Sequence, residues 1–235
     1  MEHKKLFYSE KFATRLIKHY SAGKESVVNY LKHYQFSRLL DIGCGDGSFS
    51  AVLANFSDRV YGVDIAKKAV DLARKKGIKA HVTDVDTEKL PFKKDFFEII
   101  FCGEIIEHLF DPDHLLDEMY RVLKPKGILI ITTPNLSSWL NRLALLFGYQ
   151  PYLTEVSLKH NVGKFRVKDK RISGHIRVFT LRALKDLVKI HGFRTEKSLG
   201  VSLTKELPIP LIYFDKLFSK IPALAQYIVL ILKKK

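Results

Sequence analysis

The chain has 235 residues, of which 46% are hydrophobic and 28% charged, a composition that excludes wholesale disorder and predicts a folded protein with one sizeable core. Its formal net charge of +15 favours an anionic partner without choosing among nucleic acid, a phosphorylated small molecule and an acidic membrane surface. Neither cysteine, Cys44 or Cys102, has a neighbour at metal-ligand spacing. We therefore expect no disulfide framework and no metal site.

The N-terminal segment, residues 1–36, precedes the first strand pattern. Its first 20 residues mix charges throughout, so we expect no signal peptide and a cytoplasmic location. Apolar residues then recur at helical spacing, which predicts a helical cover. These residues are Leu16, Ile17, Tyr20, Val27, Val28 and Leu31.

Five short apolar runs follow, with Gly, Asp or Pro at or next to the end of each, as in buried parallel strands. They read RLLDIG, RVYGVDI, KAHVTD, FFEIIFCG and GILIITTP. Helical patterns lie between them or after them, one with Asp111 as its cap and Lys124 to Gly127 as its stop, another with Thr180 as its cap. Two further strands are predicted at Phe193 to Leu199 and at the C-terminal QYIVLILKK.

This alternation predicts an α/β fold with a doubly wound, mostly parallel, seven-stranded sheet. Ligands of such sheets bind at the carboxyl ends of the strands. We divide the single domain into the cover (1–36), the core (37–135), an apolar and basic insertion (136–178) and a C-terminal part (179–235) that includes the proline-punctuated residues 202–225. Insertions of this kind usually select the substrate.

Three glycines, Gly43, Gly45 and Gly47, follow the first strand directly and precede a helix pattern. Glycines at this point let backbone N–H groups approach a nucleotide-like ligand. The third glycine comes one position too early for the dinucleotide fingerprint, which disfavours a nicotinamide dehydrogenase, and no phosphate-binding Gly-Lys-Ser/Thr sequence is present.

Acidic residues at successive strand ends distinguish the ligand further. Asp41 would repel a pyrophosphate and attract an ammonium or sulfonium group. Asp64 suits two ribose hydroxyls, Asp84 suits an exocyclic amine, and Glu104 follows the fourth strand. Together they predict a pocket for a positively charged adenosyl ligand without phosphates.

On these segments the chain resembles the class I S-adenosylmethionine-dependent methyltransferases. The matching pieces, which lie between about Arg38 and Asn135, are LLDIGCGDGSF, VYGVDIA, VTDVDTEKLPF, FFEIIFCGEIIEHLFDP and VLKPKGILIITTPN. EIIEHLFDP and LKPKG look most like the subgroup that contains ubiquinone-pathway O-methyltransferases. The resemblance implies a methyltransferase with S-adenosylmethionine as its cofactor.

The resemblance also implies a role for each matching residue. Asp41, Gly43 and Gly45 would line the methionine end, Asp64 would hold the ribose, and Gly103 and Glu104 would close the pocket near the amino acid moiety. Asp84 and the Val85 backbone would recognise adenine. Cys44 and Ile65 complete the predicted cofactor-binding set.

Methyl transfer from a sulfonium needs a general base only when the acceptor arrives protonated. His108, just after the fourth strand, and His175, at the end of the basic insertion, are the candidate catalytic residues, and no spacing chooses between them. An orienting or capping role in a loop is the alternative for both. His160 is a weaker third candidate, and His191, on an apolar helix face, is predicted to be structural.

The acceptor is predicted from charge and apolar surface. Between Lys159 and Arg182 there are eight Lys or Arg and one acid, Asp169, which suits an anionic acceptor. The leucine-rich Trp139 to Phe147 and the tail from Leu207 to Leu232 would add an apolar, basic-rimmed surface of the kind found at anionic membranes. We therefore expect a small anionic or lipid-like acceptor and peripheral membrane contact.

Two rivals stay open at this point. A nucleic-acid methyltransferase is disfavoured because the fourth strand is followed by CGEIIEH instead of the Pro-Pro-aromatic signature of amino-methylating nucleic-acid enzymes. A regulatory module that binds the cofactor without catalysis would keep the same carboxylates, so the sequence does not separate it from an enzyme.

Overall fold

A seven-stranded sheet forms the centre of the computed structural model, which describes residues 22–165, 172–202 and 209–235. The strand order is β3-β2-β1-β4-β5-β7-β6. β1 to β5 are parallel, and β7 runs antiparallel to both β5 and β6. This confirms the predicted mostly parallel, seven-stranded α/β fold. The strands are β1 (Leu39–Ile42), β2 (Val60–Asp64), β3 (Lys79–Val82), β4 (Phe97–Gly103), β5 (Leu123–Pro134), β6 (Phe193–Val201) and β7 (Tyr227–Lys234).

Seven α-helices and two 3₁₀ turns connect the strands in the described part of the chain. Asp111 caps α4 by accepting a hydrogen bond from the His114 N–H (3.0 Å), and Thr180 caps α6 through the Ala183 N–H (3.2 Å), as predicted. The helices are α1 (Ala22–Leu31), α2 (Ser48–Leu53), α3 (Lys67–Lys75), α4 (Pro112–Val122), α5 (Trp139–Leu146), α6 (Leu181–Ile190) and α7 (Ile209–Ser219), and the 3₁₀ turns are Ala54–Phe56 and Ile106–His108.

The sheet is buried on both faces, which is why its central strands read as continuous apolar runs. One face packs against α4 and α6 through residues such as Leu115 and Leu184. The other packs against α1 and α2 through residues such as Val27 and Phe49. Helix α1 is the described part of the predicted N-terminal cover, and residues 1–21 lie outside the described residues.

Some element boundaries differ from the prediction. β5 begins at Leu123, directly after α4, whereas the sequence pattern placed the helix stop at Lys124 to Gly127. Leu123 already pairs with Phe97 of β4, and the register then shifts before Ile99 pairs with Ile128. The irregular pairing accommodates the extra residues of the Lys-Pro-Lys-Gly turn, so the strand starts earlier than its apolar run.

The strand register brings one edge of the sheet together as a site. Ile42 pairs with Val63, Asp64 pairs with Val82, and Gly103 pairs with Thr132, so β1 to β4 and the corresponding part of β5 reach the same edge. Helix α5 follows β5 at this edge. β7 begins there too, because Tyr227 pairs with Pro134, so α7 also leads to the carboxyl edge.

Candidate active site

The glycine turn after β1 has a backbone that requires glycine. Gly43, Gly45 and Gly47 have φ values of 73°, 54° and 75°, in the left-handed region. A Cβ at Gly43 would lie 2.1 Å from Ile105 Cδ1, and one at Gly47 would lie 2.9 Å from the Ala73 Cα. The turn therefore packs closely between the loop after β4, which contains Ile105, and helix α3, which contains Ala73.

Asp64, the predicted ribose acid, also anchors this turn. Its Oδ2 accepts a hydrogen bond from the Gly45 N–H (2.9 Å) and its Oδ1 accepts one from the Ala66 N–H (2.8 Å). Burial raises the pKa of Asp64, although these hydrogen bonds partly oppose the shift. Each carboxylate oxygen keeps further acceptor capacity. The sequence did not predict the link between Asp64 and the turn.

Asp41 is buried beneath the turn. Its Oδ2 accepts a hydrogen bond from Ser50 Oγ on α2 (2.5 Å). Burial raises the pKa of Asp41 to about 6, while Ser50 and the positive charge of Lys24 on α1 oppose the rise. Sequence analysis missed Ser50 and Lys24. The sequence could have indicated Ser50 by its position, which is nine residues after Asp41 and in the first turn of a helix.

The adenine end of the predicted pocket is formed by the loop after β3. Asp84 is buried, and its Oδ1 accepts a hydrogen bond from the Asp86 N–H (3.2 Å). Val85, which follows Asp84 in the sequence, and Ile65, which follows Asp64, are both half-buried. Cys44 differs, because its thiol is buried in the core so tightly that a Cβ at Gly62 would lie 2.6 Å from its sulfur. Only the main chain of Cys44 remains to serve a ligand.

Gly103 and Glu104 end β4 in an uncommon conformation. Glu104 has a φ of 57°, a left-handed value that is rare outside glycine. Thr132 holds it there, because the Thr132 carbonyl accepts from the Glu104 N–H (2.9 Å) and its hydroxyl donates to Glu104 Oε1 (2.9 Å). Burial raises the pKa of Glu104 to about 7. Strained backbone of this kind is typical of functional sites.

Both candidate catalytic histidines lie together beside Glu107. The ring centroids of His108 and His175 are 4.7 Å apart, and His175 Nε2 lies 3.9 Å from Glu107 Oε1. The N–H groups of Ile176 and Arg177 both donate to the Glu107 carbonyl, at 2.8 and 2.9 Å, which fastens the end of the insertion to the turn after β4. Sequence analysis named the two histidines but missed Glu107, whose signal was its position next to His108.

His160 and His191 lie elsewhere. His160 is exposed in the insertion, where its N–H donates to Ser157 Oγ (3.2 Å). The ring of His191 bridges Asp117 (2.7 Å) and Asp113 (2.8 Å) of α4, which agrees with the predicted structural role. Residues 166–171 of the basic insertion, including Asp169, lie outside the described residues.

The core of the chain matches a known protein family. Residues 40–131 match the family described as "Methyltransferase domain". The core of the chain is thus similar to a methyltransferase domain. It is 26% identical over 178 residues to a probable S-adenosylmethionine-dependent methyltransferase of Mycolicibacterium smegmatis, covering 75% of this chain and 60% of that protein. It is 36% identical over 102 residues to a ubiquinone biosynthesis O-methyltransferase of Pelagibacter ubique, covering 42% of each.

Solved structures of methyltransferases share the fold. A methyltransferase of Thermotoga maritima superimposes with a TM-score of 0.65 at 22% identity, covering 100% of both chains. The chain spans about half the length of the curated relatives it matches. The family and the fold confirm the resemblance predicted from sequence and imply S-adenosylmethionine as the cofactor of the methyltransferase domain. The roles of individual residues stay predictions.

The tight turn of the methyltransferase domain predicts unequal costs for two Gly→Ala substitutions. Gly43 and Gly77 have similar φ values, 73° and 82°, but a Cβ at Gly77 meets nothing within 4 Å. Gly77→Ala should lower the free energy of unfolding by about 1 to 2 kcal/mol, the cost of a left-handed backbone. Gly43→Ala should cost about 1 to 3 kcal/mol more, because its Cβ collides with Ile105. Urea unfolding measures both.

The collision itself is tested by a double-mutant cycle. In an Ile105→Ala background the two atoms nearest the added Cβ are gone, so Gly43→Ala should cost no more than Gly77→Ala. Equal costs for the two substitutions in the wild-type background would contradict the close approach of Gly43 to Ile105.

Proposed function

We propose that the chain transfers a methyl group from S-adenosylmethionine to a small anionic or amphipathic acceptor. The observation that carries the proposal is the meeting of Asp41, Asp64 and Glu104 around the glycine turn, next to the pair of histidines. Buried carboxyl groups need a compensating positive charge, and the sulfonium and ammonium groups of this cofactor supply one. The family match supports the same assignment.

The cofactor would lie across the carboxyl edge of the sheet. Asp64 would accept hydrogen bonds from the ribose hydroxyls while it holds the glycine turn in place, and Asp84 with the Val85 backbone would bind adenine. The methionine end would lie along the turn, toward Asp41 and Glu104. Lys24 offsets only part of the burial penalty of Asp41 and Glu104, because the pKa of each carboxyl group stays raised, so a further cation would still be favourable at this end of the pocket.

The proposed reaction is an in-line displacement at the methyl carbon. For a hydroxyl acceptor, the oxygen forms a bond to the methyl carbon as the carbon–sulfur bond breaks, and the sulfonium becomes the thioether of S-adenosylhomocysteine. The hydroxyl proton must leave the acceptor. His108 and His175 follow Glu104 at the methyl end and would promote that loss. Holding the acceptor about 3 Å from the methyl carbon supplies much of the remaining acceleration.

An exposed apolar surface on the site's side of the molecule supports an amphipathic acceptor. Helices α5 and α7 pack together through Trp139, whose ring lies 5.5 Å from that of Phe218 and whose Nε1 donates to Asp215 (2.8 Å). Their outer faces leave large apolar side chains exposed, with Leu146, Phe147 and Tyr213 at 74%, 71% and 70%. We define the α5–α7 surface as Leu145, Leu146, Phe147, Tyr213, Phe214 and Leu217.

Basic side chains accompany this apolar surface. Arg142 on α5 and Lys216 and Lys220 on or just after α7 are exposed. Apolar side chains next to cations fit the boundary of an anionic membrane, where both contribute to binding. Among the described residues, no helix is long and apolar enough to cross a membrane. We infer that the acceptor is a lipid-like anion reached from the membrane surface.

A nucleic-acid acceptor is the second candidate and is less well supported. A group of basic residues surrounds a depression at the start of β5 and the end of β7, the edge opposite the proposed cofactor. Phosphates bound there would be held away from the methyl end. This group is Lys126, Arg194, Lys233, Lys234 and Lys235.

Cofactor binding is tested at Asp64. Asp64→Ala should weaken binding of S-adenosylhomocysteine by roughly 1.5 to 3 kcal/mol, the range for hydrogen bonds to a charged group. Asp64→Asn, which keeps one carbonyl oxygen, should lose less. Asp71→Ala removes an exposed carboxylate on α3 and should leave the dissociation constant unchanged. Calorimetry of the four proteins measures the series.

An unchanged dissociation constant in Asp64→Ala would mean that Asp64 does not hold the ribose. Titration with NAD is the second arm of this experiment. Tight NAD binding without any response to S-adenosylhomocysteine would overturn the cofactor assignment altogether.

Asp41 predicts how cofactor affinity depends on pH. Its pKa of about 6 in the unliganded protein means that the carboxyl is partly protonated near pH 6. A cationic ligand favours the ionised forms of Asp41 and of Glu104, whose pKa is about 7, so the affinity for S-adenosylmethionine should fall as pH decreases from about 8 to 5, by up to tenfold per pH unit for each group. Calorimetry between pH 5 and 8 measures the profile.

Asp41→Asn separates this effect from other titrations. Asp64 and Glu104 also lie near the cofactor's proposed position, and they remain in the Asn variant. The variant should bind weakly and with a flatter pH profile between 5 and 7. A variant profile as steep as that of the wild type would assign the titration to another group.

The acceptor class is tested by label transfer and by vesicle binding. With methyl-labelled S-adenosylmethionine and a cell extract, label should enter the anionic, lipid-soluble fraction, and mass analysis of the product identifies the acceptor. In flotation, the protein should bind vesicles with phosphatidylglycerol and be released by salt, since surface electrostatics are screened. Leu146→Glu/Phe147→Glu should abolish flotation.

Ile190→Glu is the matched control, because Ile190 is an exposed apolar residue (78%) at the end of α6, outside the α5–α7 surface. It should float like the wild type. Recovery of all the wild-type protein in the unbound fraction would remove the membrane proposal. Cofactor binding without any label transfer would favour the regulatory module over an enzyme.

A further inference from the structure

Three potential metal ligands meet beside the proposed methyl end. One ligand atom each from Glu107, His108 and His175 lie within 4.8 Å of one another. Glu107 is fully buried, and its Oε1 is a buried atom without a hydrogen-bond partner in the described part of the chain. A buried carboxylate oxygen left unpaired is costly, so its presence points to a ligand that the described residues do not provide.

Both imidazole rings are oriented by backbone carbonyls. His175 Nδ1 lies 2.7 Å from the Leu153 carbonyl oxygen, and His108 Nδ1 lies 3.1 Å from that of Gly174. A carbonyl can only accept, so each Nδ1 donates its proton, and in the neutral form of either ring the lone pair is on Nε2. Metal-binding histidines in proteins show this same outer hydrogen bond.

The third ligand is oriented in the same way. Thr133 Oγ1 on β5 donates to Glu107 Oε2 (3.0 Å), which leaves Oε1 to face His175. The backbone contributes as well, because Leu153 adopts a left-handed φ of 61° as it presents its carbonyl to His175. Such a conformation is uncommon for leucine and persists only where the surroundings enforce it. Each of the three side chains thus has a partner that fixes its direction.

The spacing fits an ion better than a direct hydrogen bond. His175 Nε2 and Glu107 Oε1 are 3.9 Å apart, beyond hydrogen-bond distance. Ligands at bond lengths of about 2.1 Å around a tetrahedral ion are roughly 3.4 Å apart. The three atoms would therefore need to close by roughly 1 Å when an ion enters. Glu104 adds a second buried carboxyl group nearby, which favours a cation electrostatically.

We propose that Glu107, His108 and His175 form a binding site for a divalent transition-metal ion. Two imidazole nitrogens and one carboxylate suit ions such as Mn²⁺, Co²⁺ or Zn²⁺ better than Mg²⁺ or Ca²⁺, which prefer oxygen ligands. Three protein ligands leave coordination positions open. On the proposed function above, these positions would take an oxygen of the acceptor, orient it toward the methyl group and favour its deprotonated form.

The sequence prediction of no metal site rested on cysteine spacing. It did not consider histidine and glutamate ligands from distant segments, which the paired hydrogen bonds of Ile176 and Arg177 to Glu107 bring together. The acceptor class follows from the same chemistry. An anionic or acidic oxygen, as in a phenol or a carboxylic acid, would bind such an ion directly.

The site is tested with Mn²⁺ and Co²⁺ on the chelator-treated, full-length protein. One Mn²⁺ per chain should bind, as measured by loss of the free-ion signal in electron paramagnetic resonance, and Co²⁺ should give a visible absorption band. His175→Ala and Glu107→Gln should raise the dissociation constant for Mn²⁺ more than about tenfold. Thr133→Val, which removes only the outer hydrogen bond, should raise it by roughly 10- to 100-fold.

His33→Ala is the control, since His33 is exposed just after α1, and it should bind Mn²⁺ like the wild type. Absence of Mn²⁺ binding to the wild type, or equal binding by all variants, would overturn the proposal. Calorimetry with S-adenosylhomocysteine on the same samples separates the two proposals. Cofactor binding without Mn²⁺ binding removes the metal site alone, whereas variant-sensitive Mn²⁺ binding without cofactor binding supports the metal site and removes the methyltransferase proposal.

Discussion

The pair of hydrogen bonds that Asp64 accepts from Gly45 and Ala66 is the interaction on which the site depends. It joins the ends of β1 and β2 and fixes a backbone turn that three left-handed glycines would otherwise leave loose. The turn is tied to β2 a second time, because the N–H groups of Gly43 and Cys44 both donate to the Val63 carbonyl, at 2.8 and 3.1 Å. The strands then place Asp41, Glu104 and Thr132, because the register of β1, β4 and β5 sets the heights at which these three residues emerge.

The second constraint is the cost of burying acids. Asp41, Glu104 and Glu107 are all enclosed near one another, and burial raises the pKa of each. Removing an ion from water without a partner costs several kcal/mol, and the hydroxyl groups of Ser50, Thr132 and Thr133 offset only part of this. The protein tolerates the cost because its helices and strands supply stability elsewhere. A region with several enclosed acids favours ligands of positive charge. The ligands we propose are a sulfonium cofactor on one side of this region and a metal ion on the other.

Local patterns predicted the fold well. Continuous apolar runs identified the strands because both faces of the sheet are buried, and the caps at Asp111 and Thr180 are local hydrogen bonds that sequence spacing specifies. The strand-end acids could be placed together because parallel strands end at one edge. β5 was predicted to begin too late, because Lys124 to Gly127 separate Leu123, which pairs with Phe97, from the continuous apolar run that starts at Ile128.

Contacts between distant segments could not be predicted in this way. Nothing in the spacing of EIIEH indicates that the carbonyl of Leu153 will orient His175, or that Ile176 and Arg177 will fasten the insertion to Glu107. These contacts involve main-chain atoms, which every residue has, so they leave no trace in residue type. The backbone path of the insertion is therefore the feature that the sequence specifies least. The same insertion contributes His175 to the proposed site. Exchanging this segment should change the acceptor while the glycine turn and its carboxylates keep the cofactor, because among the described residues the insertion is fastened to the turn after β4 through Glu107 and His108 and not to the glycine turn.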